Sequence, residues 1–334
     1  MGKIKFTHHF YHNEFTTMKF KFASPILLMI ICQNIFAQNI HHYNFTYVKD
    51  RIILTVETNK NDKINLLFDS ASNDFLLDSA IAAKYDLIDL DTAPMKMSFV
   101  NGTSVFRKFT NKSLFKDTLL NKAYVFGKAL RLKAMQEGLP IQINGVIGIN
   151  PYLEKYVIGL NFEKEQLEIS DKDPTYDKKT FSSELIFSDS DYGNQLSQYS
   201  HKLAAIKVRY ILSNNVVINA NALFDTGCNI NFVVNSSSNI DSLLEAAKKA
   251  VTIVIKKVSL GNDELKIYKI VADSVVLNGE KSYNNSLIYF TKIPDNRMPE
   301  FGDAKSSGLI GAPFLKKFKE VLFDFPKKKV FFID

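Results

Sequence analysis

The sequence predicts an all-β protein with a few short helices, organised as two similar halves. Two observations lead to this prediction: β-rich runs alternate with turn-forming residues, and a pair of motifs occurs twice in the same order. Of the 334 residues, 46% are hydrophobic and 23% are charged, which is typical of a folded protein and excludes collagen-like and disordered classes. A chain of this length suffices for about two domains, so we expect the functional residues in folded sites.

Residues 1–37 are interpreted as a secretory signal peptide, with a second possible start at Met18. Two lysines follow Met18, an apolar run covers residues 22–32, and Ala37 is a small residue at the expected cleavage point. The run is shorter than the ~20 residues that a membrane-spanning helix needs, and no later segment is long and apolar enough to span a membrane. We therefore expect an exported protein, periplasmic, cell-surface or secreted, without a stable membrane span. Cys32 follows the bulky Ile31, so no lipid anchor is expected.

Charge and rare residues exclude several functions. Removal of the leader lowers the net charge from +7 to +4, and the lysines are scattered, which argues against a nucleic-acid partner. The dense basic run at residues 327–329 is interpreted as a hairpin turn before the last strand. No P-loop, dinucleotide-binding, zinc-protease or nucleophile-elbow motif occurs.

Cysteine and histidine are too scarce for a metal site or a disulfide. Cys228 is the sole cysteine of the mature chain, and a Cys/His zinc site is not expected. We therefore predict no metal and no cofactor. His201 could serve Ser70 or Cys228 as a base, but it is interpreted as a surface residue. Cys228 is interpreted as a packing residue, with an oxidisable thiol as the alternative, so carboxylates remain as the candidates for catalysis.

The internal repeat consists of two motifs in each half. An apolar strand ends on Phe-Asp-Ser at residues 68–70 and on Phe-Asp-Thr at residues 224–226. An apolar-apolar-Gly motif follows at residues 146–148 and again at residues 309–311. Each of these later motifs leads through a helical turn into an aromatic strand, so the order of elements is the same in both halves.

Strand and turn signals also repeat around the two motifs. The predicted strands cover residues 51–58, 63–68, 95–100 and 104–109 in the first half, and 204–212, 216–224, 253–260 and 265–271 in the second. Asn-Gly and Gly-Asn pairs mark a tight hairpin in each half, which we interpret as a candidate flap: Asn101, Gly102, Gly261 and Asn262. Short helices are predicted at residues 79–85, 151–156, 241–250 and 313–318. Residues 171–199 are rich in polar residues and are predicted to connect the halves.

Together these motifs resemble the pepsin and retropepsin type of aspartic peptidase. The signatures of that family are Asp-Thr/Ser-Gly and a later apolar-apolar-Gly, once per lobe, and they match in order across about residues 48–334. The resemblance implies two similar β-barrel lobes, residues 38–170 and 200–334, with the active site between them. It also implies a monomer with an internal pseudo-two-fold axis, and a peptide or protein as substrate.

The resemblance identifies Asp69 and Asp225 as the catalytic residues. A water molecule can attack a peptide bond when one carboxylate takes its proton while a second, protonated carboxyl donates to the carbonyl oxygen. Two carboxyls facing each other cannot both ionise cheaply, so the pair holds one shared proton over an acidic range. The expected function is thus an exported aspartic endopeptidase.

Residues beside the two aspartates are assigned supporting roles by the same resemblance. Ser70 and Thr226 match the hydroxyl residues that cross-bond the two active-site loops. The Gly227 amide would support its carboxylate, and the Ser72 hydroxyl would bond Asp69.

The apolar-apolar-Gly motifs would run beside these loops, where Gly148 and Gly311 permit close backbone approach. The chain departs from the family pattern at Ala71, where the family has glycine, because a methyl must fit a crowded loop there.

Two alternatives remain at this stage. Ala71 motivates a catalytically impaired, peptide-binding relative. A phosphohydrolase using Asp89 and Asp91 is the other, although no apolar strand precedes these residues, as that chemistry requires.

Overall fold

The computed structural model describes residues 40–87, 93–99, 102–132, 136, 138–171, 180–188, 203–212, 216–235, 254–260, 263–291 and 307–334. β-strands dominate this part of the chain, and the all-β class predicted from the sequence is confirmed. The predicted signal peptide, the predicted helix at residues 241–250 and His201 lie outside the described residues. None of the described helices is long and apolar enough to cross a membrane.

The strands are numbered in chain order. They are β1 (Ile40–Val48), β2 (Arg51–Glu57), β3 (Lys63–Asp69), β4 (Phe75–Asp78), β5 (Met95–Phe99), β6 (Gly102–Thr110), β7 (Phe126–Leu130), β8 (Gly145–Gly148), β9 (Val157–Asn161), β10 (Gln166–Ser170), β11 (Thr180–Glu184), β12 (Ile186–Phe187), β13 (Ala204–Leu212), β14 (Val216–Asp225), β15 (Phe232–Asn235), β16 (Val254–Leu260), β17 (Asp263–Leu277), β18 (Lys281–Thr291), β19 (Ser307–Gly311), β20 (Glu320–Asp324) and β21 (Lys329–Ile333). The helices are α1 (Ser79–Lys84), α2 (Thr118–Ala123), α3 (Ala312–Leu315) and a 3-10 turn, η1 (Leu153–Lys155).

The sequence repeat is also a repeat of strand pairing. In the first half, β3 follows β2 in a hairpin and pairs in parallel with β8, which lies between β3 and β4. In the second half, β14 follows β13 in a hairpin and pairs in parallel with β19, which lies between β14 and β15. The parallel pairs β4–β7 and β15–β18 complete the correspondence. Each half therefore places the end of its aspartate strand beside the glycine of its apolar-apolar-Gly motif.

The halves share one sheet at their junction. The 13-stranded sheet runs in the order β11, β21, β20, β9, β10, β1, and then through β2, β3, β8, β4, β7, β6 and β5. In this order β9 of the first half pairs antiparallel with β20 of the second, and Gly159 lies opposite Leu322. The 8-stranded sheet contains β12 and the other described strands of the second half, β13 to β19.

Part of the predicted connection, residues 171–199, forms strands. β11 pairs with β21 and β12 pairs with β13, whereas in the first half the single strand β1 pairs with both β10 and β2. These strands were not predicted, because the segment is rich in polar residues. A strand at the edge of a sheet needs apolar residues on one face only, so such a composition does not exclude it.

The period-2 alternation of β3 and β14 orients both aspartates. Phe68 and Phe224 point into the main core, where each is 1% exposed. Leu67 and Leu223 point to the opposite face and pack in two smaller clusters. Asp69 and Asp225 lie two residues beyond these leucines, on the same face. Burying each phenylalanine stabilises the fold by about 1.5–3 kcal/mol and holds the strand ends in register.

The buried hydroxyl of Tyr210, in the second half, leads to a prediction about stability. The Tyr210 side chain is fully buried, and its hydroxyl has no hydrogen-bond partner among the described residues. Tyr85 is also buried, but its hydroxyl bonds Thr58 and Asp62 at 2.9 and 2.7 Å. Tyr210→Phe should leave the free energy of unfolding unchanged or raise it by about 1 kcal/mol, whereas Tyr85→Phe should lower it by about 1–2 kcal/mol. Urea denaturation of both variants checks this, and equal losses would contradict it.

Candidate active site

Asp69 and Asp225 come together in the folded chain. They are the last residues of β3 and β14, and their carboxyl groups hydrogen-bond to each other. Asp69 lies opposite Gly148 in the parallel β3–β8 pair, and Asp225 lies opposite Gly311 in the β14–β19 pair. Two residues that are 156 positions apart in the chain thus occupy equivalent places on two repeated strand pairs and share one site.

A reciprocal hydrogen-bond network joins the two aspartate loops. The Ser70 amide donates to Thr226 Oγ1 at 2.9 Å, and the Thr226 amide donates to Ser70 Oγ at 3.1 Å. Each hydroxyl also donates to the carbonyl oxygen before the opposite aspartate, Ser70 Oγ to Phe224 at 2.8 Å and Thr226 Oγ1 to Phe68 at 2.8 Å. Both hydroxyl residues are buried. The network therefore fixes the distance between the two strand ends without involving either carboxyl group.

Backbone amides support each carboxylate. The Ala71 amide donates to Asp69 Oδ1 at 2.9 Å. The amides of Cys228 and Gly227 lie near the Asp225 carboxyl and lower its pKa, while the Cys228 amide donates to the Asp225 backbone carbonyl at 3.0 Å. Ala71 is not among the residues with positive φ. The alanine therefore retains the amide bond, and its backbone conformation is open to any L-residue.

The hydroxyl of Ser72 is used differently from the expectation. It accepts a hydrogen bond from the Asp74 amide at 3.2 Å, while the Ser72 amide donates to the Asp69 backbone carbonyl at 3.1 Å. The predicted bond from the Ser72 hydroxyl to the Asp69 carboxyl does not occur among the described residues, and the hydroxyl instead accepts a bond within its own loop.

Gly148 and Gly311 lie against the loops that follow the aspartates. A Cβ atom on Gly148 would overlap the Ser72 carbonyl, and one on Gly311 would overlap the Ile230 carbonyl and lie 2.7 Å from the Cys228 carbonyl oxygen. Backbone atoms cannot move aside as a flexible side chain can, so these positions admit only glycine.

Gly227 borders the carboxyl pair itself. A Cβ atom there would lie 3.0 Å from Cγ and 3.1 Å from Oδ2 of Asp69, and 3.2 Å from Oδ1 of Asp225. The absence of a side chain at Gly227 therefore leaves room for both carboxyl groups.

Burial determines the protonation of the pair. It raises the pKa of Asp69 to about 6, against the lowering effect of the hydrogen bonds from Ala71 and Asp225. Burial also raises the pKa of Asp225 well above its usual range, and the charge of Asp69 raises it further. A site that disfavours two negative charges holds a shared proton at mildly acidic to neutral pH.

Cys228 follows the second motif and makes a packing contact. It is half-buried, and its Sγ lies 3.8 Å from the Ile230 carbonyl oxygen. Burial and the adjacent Asp225 raise the pKa of the thiol. A neutral thiol reacts slowly with oxidants, which agrees with the interpretation of Cys228 as a packing residue.

A buried ion pair behind the first loop was not predicted from the sequence. Lys128 Nζ lies 2.6 Å from Asp74 Oδ1, and the two side chains are 9% and 13% exposed. Lys128 is on β7, one strand away from the loop that carries Asp74. In the second half, the strand register places Asn231 at the position of Asp74 and Tyr289 at the position of Lys128. These two side chains carry no charge and cannot form an ion pair. No local signal marks Lys128, because charged residues in strands are usually solvent-exposed.

The flanks of the predicted flaps are strand hairpins. β5 pairs with β6 so that Phe99 lies opposite Gly102, and β16 pairs with β17 so that Leu260 lies opposite Asp263. Three of the predicted flap residues, Asn101, Gly261 and Asn262, lie outside the described residues, as do Asp89 and Asp91 of the phosphohydrolase alternative. Within the described ranges, no three His, Cys, Asp or Glu side chains are grouped to hold a metal ion.

Comparisons with known proteins give a distant structural similarity. No protein-family model matches the chain, and no curated protein matches its sequence. Among solved structures, the chain is similar to conglutin gamma, a basic 7S globulin from lupine seeds, at 11% sequence identity and a TM-score of 0.49. This match covers 89% of the present chain and 95% of the globulin chain.

Proposed function

We propose that this protein is an exported aspartic endopeptidase in which Asp69 and Asp225 activate the attacking water. The single observation that carries the proposal is the hydrogen-bonded contact of these two carboxyl groups at the ends of equivalent strands. We further propose that the two halves are lobes of a pepsin-like fold, with an extended peptide bound between them.

The proposed reaction uses one proton that the pair already holds. The ionised carboxyl takes a proton from water, the resulting hydroxide oxygen bonds to the peptide carbonyl carbon, and the protonated carboxyl gives its proton to the carbonyl oxygen. In the tetrahedral gem-diol intermediate, the carboxyl that took the proton from water gives it to the peptide nitrogen and the C–N bond breaks. A hydroxyl of the diol returns its proton to the other carboxylate as the new carboxyl product forms, which restores the singly protonated pair. General acid and base are both present at the start, since the two pKa values are raised by burial and separated by mutual repulsion.

The loop network supports this proposal by pre-organising the acids. Its four hydrogen bonds connect backbone and hydroxyl groups across the two halves and leave the carboxyl oxygens to the amides and to each other. Acids that are already positioned need little reorganisation when charge develops in the transition state.

The alternative of a peptide-binding relative without activity rests on Ala71. The amide of Ala71 still donates to Asp69, and its φ is not positive, so the local support of the acid is intact. These contacts favour the catalytic proposal over the impaired one.

The pH dependence of cleavage tests the proposal. Cleavage of a denatured substrate protein should require a single proton on the pair. Because the pair is inactive with two protons and with none, kcat/KM should fall on both sides of an optimum pH. Because burial raises the pKa of Asp69 to about 6, we expect the acidic limb near pH 6, above the pKa of an ordinary aspartate. A peptide mimic with a hydroxyl at the scissile position should abolish cleavage. Absence of cleavage at every pH, or cleavage that persists with the mimic, would contradict the proposal.

A further inference from the structure

An apolar surface lies directly beside Asp225. Leu223, two residues before Asp225 on β14, faces the same side of the sheet as the acid, and it pairs with Leu309 of β19 in parallel register. Leu223 forms a cluster with Leu203 and Ala205, all at most 4% exposed. Leu309 packs on this cluster and remains partly exposed, so apolar surface is accessible next to the acid pair.

Ala71 reaches this surface from the other half. It follows Asp69 by two residues, yet it packs against the cluster that contains Leu223, and it is partly exposed. A residue in the loop of the first acid thus contributes apolar surface beside the second acid. Glycine, which the resemblance places here, would leave this surface without the methyl group.

The two sides of the acid pair differ at this position. Gly227, the counterpart of Ala71, has no side chain, and a Cβ atom there would lie 3.0–3.2 Å from the two carboxyl groups. The Leu67 cluster, counterpart of the Leu223 cluster, also contains Phe106 of β6, which is 1% exposed. In the first half, Val146 pairs with Leu67 as Leu309 pairs with Leu223, and Val146 is likewise 1% exposed. Beside Asp225, Leu309 and Ala71 therefore present partly exposed apolar surface, whereas the equivalent positions beside Asp69 are the buried Val146 and Gly227, which has no side chain.

We propose that Ala71 is a specificity-determining residue whose methyl group narrows the groove beside Asp225 and selects substrates with a small apolar side chain there. The inference rests on the proposed function, because it presumes that a peptide lies across the acid pair. The substrate residue that is selected is the one whose side chain packs against the Leu223 cluster, on one side of the scissile bond. A methylene group in an apolar pocket changes kcat/KM by about 10- to 200-fold, so the discrimination should be easily measured.

A peptide series that varies only this residue, from alanine through valine and leucine to phenylalanine, tests the proposal. The wild-type protein should prefer alanine, and Ala71→Gly should raise the phenylalanine-to-alanine ratio of kcat/KM about 10-fold or more. Selectivity for the residue on the other side of the bond should not change. Ala83→Gly is the matched control, since Ala83 is exposed on α1 and the same methyl group is removed, and its ratio should equal that of the wild type. An unchanged ratio in Ala71→Gly would overturn the proposal.

A binding measurement separates this inference from the proposed function. Two hydroxyl-containing peptide mimics, one with alanine and one with phenylalanine at the varied residue, are titrated into wild type and Ala71→Gly by calorimetry. The glycine variant should bind the phenylalanine mimic about 10-fold more tightly relative to the alanine mimic. If neither protein cleaves peptides but this shift is seen, the peptidase proposal fails and the role of Ala71 stands. If both cleave peptides without the shift, only the role of Ala71 fails, and absence of any binding overturns it as well.

Discussion

Asp225→Asn should reduce kcat for peptide cleavage by at least about a thousandfold without unfolding the protein. The amide cannot exchange a proton with water or with the carbonyl oxygen, and loss of an essential acid-base group typically costs about 10²–10⁴ in rate or more. The side chain keeps its size and its backbone contacts, so the strand register should persist. Measurement of kcat on the optimal peptide checks this, with circular dichroism for the fold.

Asp86→Asn is the matched control for this variant. Asp86 is exposed after α1 and has a positive φ that asparagine tolerates well, so the same chemical change should leave kcat within about twofold. Cleavage by Asp225→Asn at wild-type rate would remove the acid pair from the mechanism.

Asp225→Asn should also be more stable than the wild type at high pH. The folded-state pKa values of both acids are raised, so their contribution to stability is fully present below the unfolded pKa and is lost as the pH rises. The loss occurs through about pH 6 for Asp69 and at a higher pH for Asp225, whose pKa is raised well above its usual range by burial and by the charge of Asp69. Asparagine carries no charge to bury, so the melting temperature of Asp225→Asn should exceed that of the wild type above pH 7. At pH 4 the two should converge, and a gain there but not above pH 7 would reverse the assigned sign.

Thr226→Val should strongly destabilise the fold, because it breaks two bonds of the loop network. Thr226 is fully buried, and removal of its hydroxyl leaves the Ser70 amide and the Phe68 carbonyl without their partners. Each unsatisfied buried group costs about 1–3 kcal/mol, so the free energy of unfolding should fall by about 2–4 kcal/mol. The kcat should fall as well, because the strand ends that carry the acids are no longer tied at a fixed distance. Chemical denaturation and peptide cleavage measure the two effects.

Thr226→Ser separates the hydroxyl from the size of the side chain. It retains both hydrogen bonds and loses one methyl group, so we expect a loss of about 1 kcal/mol and nearly normal kcat. Equal losses in the valine and serine variants would show that packing, and not the hydroxyl, connects the two loops.

Local pattern was enough to predict much of this fold. The strands around both aspartates, β2 and β3 as well as β13 and β14, begin and end within a residue or two of the predicted ranges. α1 was also predicted, and the hairpin turn predicted at residues 327–329 lies at residues 325–328, with Lys329 already in β21, because alternation, turn residues and capping are encoded within a few neighbouring positions. β11 and β12 were not predicted, since their pairing with β21 and β13 lies far away in sequence.

The sequence alone determined that two Phe-Asp-Ser/Thr strands and two apolar-apolar-Gly strands recur in the same order. Only the tertiary structure decided that Asp69 and Asp225 meet, that Ser72 bonds Asp74, that Lys128 is buried against Asp74, and that Ala71 packs on the sheet of the other half. The reason is physical: backbone periodicity acts over a few residues, whereas the burial, charge and contacts of a site depend on which distant strands pack against each other.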